Sequence, residues 1–394
     1  MTRLFYFLNL YRMELTRKEE RALQGEYGDG LKLAYKILVS IGNANDATKL
    51  IPIKWAHISG VNFNTIGEAG VRFLSELDKE TKVTVTTTLN PMGFDSKKDN
   101  NISEDFKANQ HSIINSYLSL GVIPSFTCIP YEIFTLPKKG EIVSFAESNA
   151  AVFINSILGI KTNKESSLSS LASAITGKTP YSDLLIDDLR TPTTSIKPDI
   201  DIQTESDFGL LGYFAGKIAK DICVGLEINS ESLDIIKSKA ISAGIGTSGM
   251  CGMFSNKNND CEKISFGKTE LTQVKDELNT AEKGDLIVFG SPQLGLEEIN
   301  LLGHLIERKK FKKPCMIFCP RSLTECNNKM IRKLKKAGAD INCDSCTCLT
   351  PLITKNDYDS IVTNSIKCAY YMKHANKIDV SLKDMKSITK EYCE

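Results

Sequence analysis

Residues 49–89 read KLIPIKWAHISGVNFNTIGEAGVRFLSELDKETKVTVTTTL, and this stretch decides the fold class. KLIPIKWAHISGV (49–61) reads as a short strand that ends in a turn. TIGEAGVRFLSEL (65–77) has the apolar spacing of an amphipathic helix, and KVTVTTTL (82–89) is a β-branched strand. The order recurs downstream. A helix is expected around 104–119, then a strand at VIPSFTC (122–128). GLLGYFAGKIA (209–219) precedes ICVGLE (222–227) in the same way. GDLIVFGSPQ (284–293) and KPCMIFCP (313–320) read as buried strands, each followed by a helix, at 294–308 and 322–338. ADINCDSC (339–346) is one more short strand. Strands alternating with helices predict an α/β architecture of several subdomains with largely parallel sheets. Ligand groups in such sheets gather at the carboxyl ends of strands. His57, Asn90 and Cys128 all fall where a strand gives way to a loop.

The remaining segments complete this picture. Residues 14–48 look helical, with Thr16 and Glu19 spaced as a capping box. AESNAAVFINSILGIKTN (146–163) is a helix closing near Gly159, and 164–180 is a polar loop feeding a second helix. LRTPTTSIKPDIDIQTESD (189–207), rich in Pro, Thr and Asp, reads as a linker or long surface connection. The expected division is an N-terminal extension at 1–12 and three subdomains at 13–145, 146–270 and 271–394 around a central site.

Composition removes several classes of function. The 49 basic and 48 acidic residues nearly cancel and form no long single-sign run. A nucleic-acid or membrane-surface partner therefore gets no electrostatic support. No apolar stretch approaches the roughly eighteen residues of a membrane span. MTRLFYFLNLYR (1–12) has no small-residue cleavage site, so a cytoplasmic chain with reduced thiols is expected despite twelve cysteines. Cys223, Cys315, Cys326 and Cys368 read as packing residues.

Three familiar motifs fail on context. GIGTSG (244–249) matches G-x-G-x-x-G but follows a helical run instead of a strand. TGKT (176–179) imitates the end of a P-loop, yet Ala172 stands where the first glycine belongs. Cys343 and Cys346 form one C-x2-C with no second pair at zinc spacing, and Pro351 argues against a thioredoxin-type helix.

What survives is a set of cysteines. Cys128 (SFTCIPYE), Cys319 (MIFCPRS) and Cys346 (CDSCTC) each sit in a strand-end loop, far apart in sequence. Three thiolates leave one position open on an iron–sulfur cluster, which makes it a Lewis acid. Each thiol taken singly is equally a buried packing group, and spacing alone goes no further.

Several blocks, in order, resemble the large subunit of the aconitase X family: GEYGDGLKLAYKILVSIG (25–42), IPIKWAHISGV (51–61), TTLNPMGFD (87–95), TCIPY (127–131), ESNAAVFINSILGIKTNKE (147–165), LASAITGKTP (171–180) and DSCTCLTPL (344–352). The resemblance runs from about Met13 to the C-terminus. It implies an aconitase-like fold around a [4Fe–4S] cluster, a hydro-lyase, and a separate small subunit that supplies the swivelling domain of a heterodimer. For the archaeal branch it implies loss of water from (R)-5-phosphomevalonate, giving trans-anhydromevalonate 5-phosphate in a mevalonate pathway.

The resemblance implies Cys346 and Cys128 as cluster ligands. GSPQ (290–293) and CPRS (319–322) depart from the family's Gly-Cys-Pro-His and Cys-Thr-Ser-Arg, so Ser291 or Cys319 is left to complete the set, with Cys348 as a substitute. Around the substrate it places His57, Ser59, Gly60, Asn90, Lys161, Thr162, Asn163 and Arg321, with Ser166 and Ser167 at a helix start suited to a phosphate. Glu147 and Glu165 are candidates for the acid/base carboxylates or for carboxylates that support the site from behind, with His57 a further catalytic candidate. Plainer readings stay open for His57 as a core histidine, Lys161 as a solvated charge and Glu147 as a helix-start carboxylate. Lys161 stands for an arginine and cannot grip an oxyanion in two places. Two alternatives follow from such departures: a relative acting on another hydroxy acid, such as a hydroxyproline, and a cluster-free scaffold subunit.

Overall fold

A computed structural model of the chain describes residues 13–77, 80–98, 101–229, 233–256, 261–348 and 350–394. The expected extension at 1–12 lies outside them. The first layer holds β1 (Leu50–Pro52), β2 (Trp55–Ile58), β3 (Thr86–Leu89), β4 (Ser144–Phe145) and β5 (Lys178–Pro180). β2 is the centre of a parallel sheet with β3 and β4, while β1 pairs antiparallel with β5. The β1–β5 pairing brings 178–180 back onto the first layer, so the chain crosses the division expected at 145.

The second unit contains β6 (Thr194–Pro198), β7 (Cys223–Leu226), β8 (Met253–Ser255) and β9 (Glu262–Phe266), parallel in the order β8-β7-β6-β9. The third contains β10 (Leu286–Phe289), β11 (Cys315–Phe318), β12 (Ala339–Asn342), β13 (Ser360–Thr363) and β14 (Asp379–Leu382). Its order is β12-β11-β10-β13-β14, all parallel. The chain winds outward from β10 through β11 to β12, then crosses to β13 on the other side. The crevice beyond β10 and β13 is therefore a topological switch point, where open α/β sheets bind ligands. Ser291 follows β10 and Lys367 follows β13, so both stand at that crevice.

Four expectations are corrected. Residues 122–128 form no strand; one bridge joins Ile123 to Thr88, and the run then fails at Pro124 and at Phe126, whose φ of 43° no ladder tolerates. The supposed linker 189–207 contains β6, whose buried Thr194, Ser195 and Ile196 lie between two neighbours. The helix at 146–163 is an α-helix, Ser148–Phe153, that widens into a π-turn, Ile154–Leu158, before Gly159. The helical region 14–48 is two helices, Arg17–Gln24 and Asp29–Ala44, broken at Gly25 with φ 95°. The Thr16–Glu19 capping box is present as expected.

GIGTSG lies within the helix Ile235–Ser248, which packs on the helix Glu205–Ile218. A Cβ on Gly244 would stand 2.3 Å from the Gly209 carbonyl oxygen, and one on Gly212 2.3 Å from that of Ile241. These glycines let two backbones touch, which is why the motif occurs without a nucleotide. Gly244→Ala is expected to lower stability by about 1–3 kcal/mol in urea unfolding. That loss should appear even though alanine is intrinsically the better helix former by about 1 kcal/mol, because the obstructing atoms are backbone.

Candidate active site

A cavity of about 310 Å³ opens where the first and third units meet. Ser59, Gly60, Asn90, Cys128 and Glu147 line it from the first, and Cys346, Cys348, Lys367 and Tyr371 from the third. Glu147 is the N-cap residue of the helix Ser148–Phe153, directly after β4. Lys367 lies in the first turn of the helix Ile366–Tyr371, where Ser365 caps by accepting from the Cys368 N–H at 3.0 Å.

Lys367 is buried, and its Nζ donates to Glu147 Oε1 and, at 2.7 Å, to Asn149 Oδ1. Burial alone would lower its pKa, but Glu147 holds it well above the ordinary lysine range. Glu147 Oε2 accepts from Asn90 Nδ2 at 2.5 Å. Asn90 Oδ1 faces His57 Nε2 at 2.9 Å, His57 Nδ1 faces Thr88 Oγ1 at 2.8 Å, and Trp55 Nε1 reaches the same hydroxyl at 3.0 Å. Indole N–H only donates, and the Asn90 amide already gives its N–H to a carboxylate. Asn90 therefore accepts from His57 Nε2–H and gives its N–H to Glu147, while Trp55 donates to Thr88, whose hydroxyl faces both His57 Nδ1 and, at 3.4 Å, the Ala56 carbonyl. A ring that accepts at Nδ1 is neutral. Burial agrees, pushing the His57 pKa down to about 4.

Three thiols occupy one wall. The Cys346 sulfur is within hydrogen-bonding reach of both Cys128 and Cys348. Ser291 Oγ lies 3.1 Å from the Cys348 sulfur and 3.5 Å from that of Cys346. The donors on Cys128 and Cys348, with the Lys367 charge, hold the Cys346 thiol well below the ordinary range. Burial raises Cys128, and its bond to Cys346 raises Cys348. The set thus concentrates thiolate character on its central member. All three are free thiols; among the described residues no three or more His, Cys, Asp or Glu surround the position of a single metal ion.

The other residues singled out from sequence are spread more widely. His57 is fully buried behind the cavity wall and bonds Asn90, a lining group. Cys319 is buried beside Cys343 in a different core, away from the three thiols. Arg321 grips Asp344 through two nitrogens and also Asp95, tying together the loops after β3 and β12. Lys161 pairs with exposed Asp187 at 2.6 Å on the surface. Thr162 pins β4, its Oγ1 accepting from the Phe145 N–H at 3.0 Å. Asn163, Glu165 and Ser166 line a second cavity of about 310 Å³, where burial raises the Glu165 pKa. Ser166 is spent on a capping box with Ser169, whereas Ser167 Oγ lies 3.0 Å from Ser59 at the edge of the first cavity.

Lys367, Asn149 and Tyr371 escaped the sequence reading. The available signal was a lysine among Ile366, Cys368 and Ala369, just after a β-branched run. A cation in such a run needs a buried partner.

The chain matches the aconitase X first, second and third domains over residues 12–188, 192–285 and 284–394. Over 96% of its length it is 37% identical to the phosphomevalonate dehydratase large subunit of Methanocaldococcus jannaschii, covering 100% of that protein. It is 32% identical to the Thermococcus kodakarensis protein of the same name, at 96% and 100% coverage. The cis-3-hydroxy-L-proline dehydratase of Hypocrea jecorina is 31% identical over 91% of this chain, which spans 65% of that relative. A crystal structure of Thermococcus kodakaraensis aconitase X in its holo form superposes with a TM-score of 0.88 at 32% identity, covering 96% of this chain and 100% of that one.

The neutral His57 has a consequence for stability. Its folded pKa of about 4 lies below the ordinary 6.5, so between these values the unfolded chain binds the proton more tightly. The contribution is complete above pH 6.5 and is lost as pH falls through that window. Between pH 6.5 and 4.5, wild type should lose about 2–3 kcal/mol more unfolding free energy than His57→Gln, measured in urea.

Proposed function

The chain belongs to the aconitase X family, and we propose that its cavity removes water from (R)-5-phosphomevalonate to give trans-anhydromevalonate 5-phosphate. The observation that carries this is the convergence, in one cavity, of three thiols with a buried carboxylate–lysine pair, in a chain that matches phosphomevalonate dehydratase large subunits over nearly its whole length. The relatives' designation as large subunits implies a small-subunit partner, which in this reading completes the site as a heterodimer. Reduced thiols suit the cytoplasm. Among the described residues no helix is long and apolar enough to cross a membrane.

The donor set fits a [4Fe–4S] cluster: three soft thiols from two loops share one wall, with polar groups opposite. Cys128, Cys346 and Cys348 are the residues that would hold it. Ser291 lies against two of the three sulfurs, and Cys319 is elsewhere. When bound, such a cluster supplies Lewis acidity to the departing hydroxyl. The remaining work falls to this chain and its partner. Asn90 and Lys367 hold both Glu147 oxygens at the cavity, where the carboxylate can hold or move a proton. Lys367 also supplies a buried positive charge for the substrate carboxylate. Ser59 and Ser167, beside the start of the helix Ser167–Thr176, offer donors for a phosphate.

The test is to co-express the chain with its small subunit, purify it without oxygen, and assay iron, sulfide and dehydration. About four irons and four sulfides per chain are expected, with turnover of phosphomevalonate and none of cis-3-hydroxy-L-proline. Cys128→Ala, Cys346→Ala and Cys348→Ala should each lose most of the iron, while Cys319→Ala keeps it. Glu147→Gln should lower kcat about 10²–10⁴-fold without loss of iron. Turnover of the hydroxyproline alone would overturn the substrate, and iron-free, colourless protein would overturn the cluster.

A further inference from the structure

Neither loop that carries the outer and central thiols is held by regular structure. Residues 122–128 lack a ladder and contain Phe126 at φ 43°, and the 343–348 segment contains Asp344 at φ 59°. Each is anchored to β3 or the segment after it, through Thr127 to Leu89 and Asp344 to Met92, and among the described residues no ladder joins one loop to the other. What stands between them is Gln293, fully buried just after β10. Its Oε1 accepts from the Cys128 N–H at 3.3 Å. Its Nε2 donates to the carbonyls of Phe126 at 3.2 Å and Ser345 at 2.9 Å. Its own backbone N–H donates to the Cys128 sulfur at 3.1 Å. One amide thus closes three bonds across the two loops, and the main chain adds a fourth to the thiol.

Gln293 is itself held from the second unit. Lys239 Nζ donates to the Gln293 carbonyl at 2.7 Å, to Glu132 at 3.0 Å and to Glu298. Glu298 also caps its own helix through the Gly295 N–H at 2.8 Å. Other polar contacts reach each loop separately. Asn149 Nδ2 donates to the Cys128 carbonyl, and the Thr127 N–H donates to the Leu89 carbonyl at 3.0 Å. On the Cys346 loop, the Asp344 carbonyl accepts from the Met92 N–H, and the Ser345 hydroxyl donates to the Gly93 carbonyl.

We propose that Gln293 is a positioning residue that clamps the Cys128 and Cys346 loops to each other and so sets the separation of their sulfurs. Its bearing on the cluster rests on the ligand set proposed above; the clamp itself does not. The chemistry of the clamp is specific to an amide. A carboxylate of the same shape keeps the acceptor but has no donor for Phe126 and Ser345. Gln293→Glu is therefore the informative variant, because it changes hydrogen bonding at nearly constant volume.

Two rates test the clamp in wild type, Gln293→Glu, Gln293→Ala and Leu278→Ala, each co-expressed with the small subunit. Leu278→Ala opens a cavity in the core of the second unit and controls for lost stability. The first rate is iron release to a chelator. The second is alkylation of Cys128 by N-ethylmaleimide in metal-free protein, mapped by peptide mass spectrometry. Both Gln293 variants should raise both rates about tenfold or more, the equivalent of one lost hydrogen bond. Leu278→Ala should lower the melting temperature and move neither rate more than about twofold on the same scale. Wild-type rates in Gln293→Glu, or equal acceleration in Leu278→Ala, would overturn the proposal. If wild type takes up no iron, the cluster reading fails, and the alkylation rates alone decide the clamp.

Discussion

The ion pair between Lys367 and Glu147 is the constraint on which the site depends. Each charge is almost fully buried, and taking either one out of water alone costs several kcal/mol. The pair persists because each partner has further bonds: Asn149 to the lysine and Asn90 to the carboxylate. Lys367 follows β13 of the third unit and Glu147 follows β4 of the first. Neither group can be buried and satisfied until these units dock. The same logic recurs at Lys239, where the second unit meets Glu132 of the first and Glu298 of the third. Charges that only a complete assembly can satisfy favour one arrangement of three units over many, and both seams converge on the thiol wall.

Polarity propagates from this pair into the first layer. Glu147 only accepts, so Asn90 must present its N–H there and its oxygen to His57. His57 then donates from Nε2, and the neutral ring that burial favours accepts at Nδ1 from Thr88. Trp55 ends the chain because its indole cannot accept. Both carboxylate oxygens are thus held, one by Asn90 and the other by Lys367. A buried network whose polar groups are satisfied is rigid in this way, and in the proposed reaction that rigidity would hold the proton-handling group in place.

How much of this was legible in the sequence follows from whether the forces were local. The alternation at 49–89, the capping box at Thr16 and the buried runs before Ser291 and Cys319 are set by patterns of period two and 3.6, and they stand in the structure near their expected places. Asn90, Cys128, Glu147 and Cys346, marked in the sequence by strand ends and family blocks, all line the first cavity. Residues 122–128 misled because β-branched character says nothing about a missing partner, and β6 was hidden because its Pro and Thr content resembles a linker. Lys161 and Arg321 were placed on the substrate by chemistry alone; the carboxylates that claim them, Asp187, Asp344 and Asp95, are brought near only by tertiary packing. Lys367 was invisible for the converse reason: its partner is 220 residues away.

The departures from the family pattern make most sense together. Ser291 brings a hard hydroxyl to a place where a soft sulfur would favour iron, and by itself it weakens a thiolate site. Cys348, two residues beyond Cys346, returns a sulfur to that wall and bonds Ser291 at 3.1 Å. Gln293, two residues beyond Ser291, ties the Cys128 loop to the Cys346 loop. In the proposed ligand set, the segment after β10 would support the site without ligating. It contributes a hydroxyl and an amide, while the loop after β12 contributes two of the three sulfurs. With Cys128 the wall holds three thiols, and the Gln293 amide bonds the loop that carries two of them.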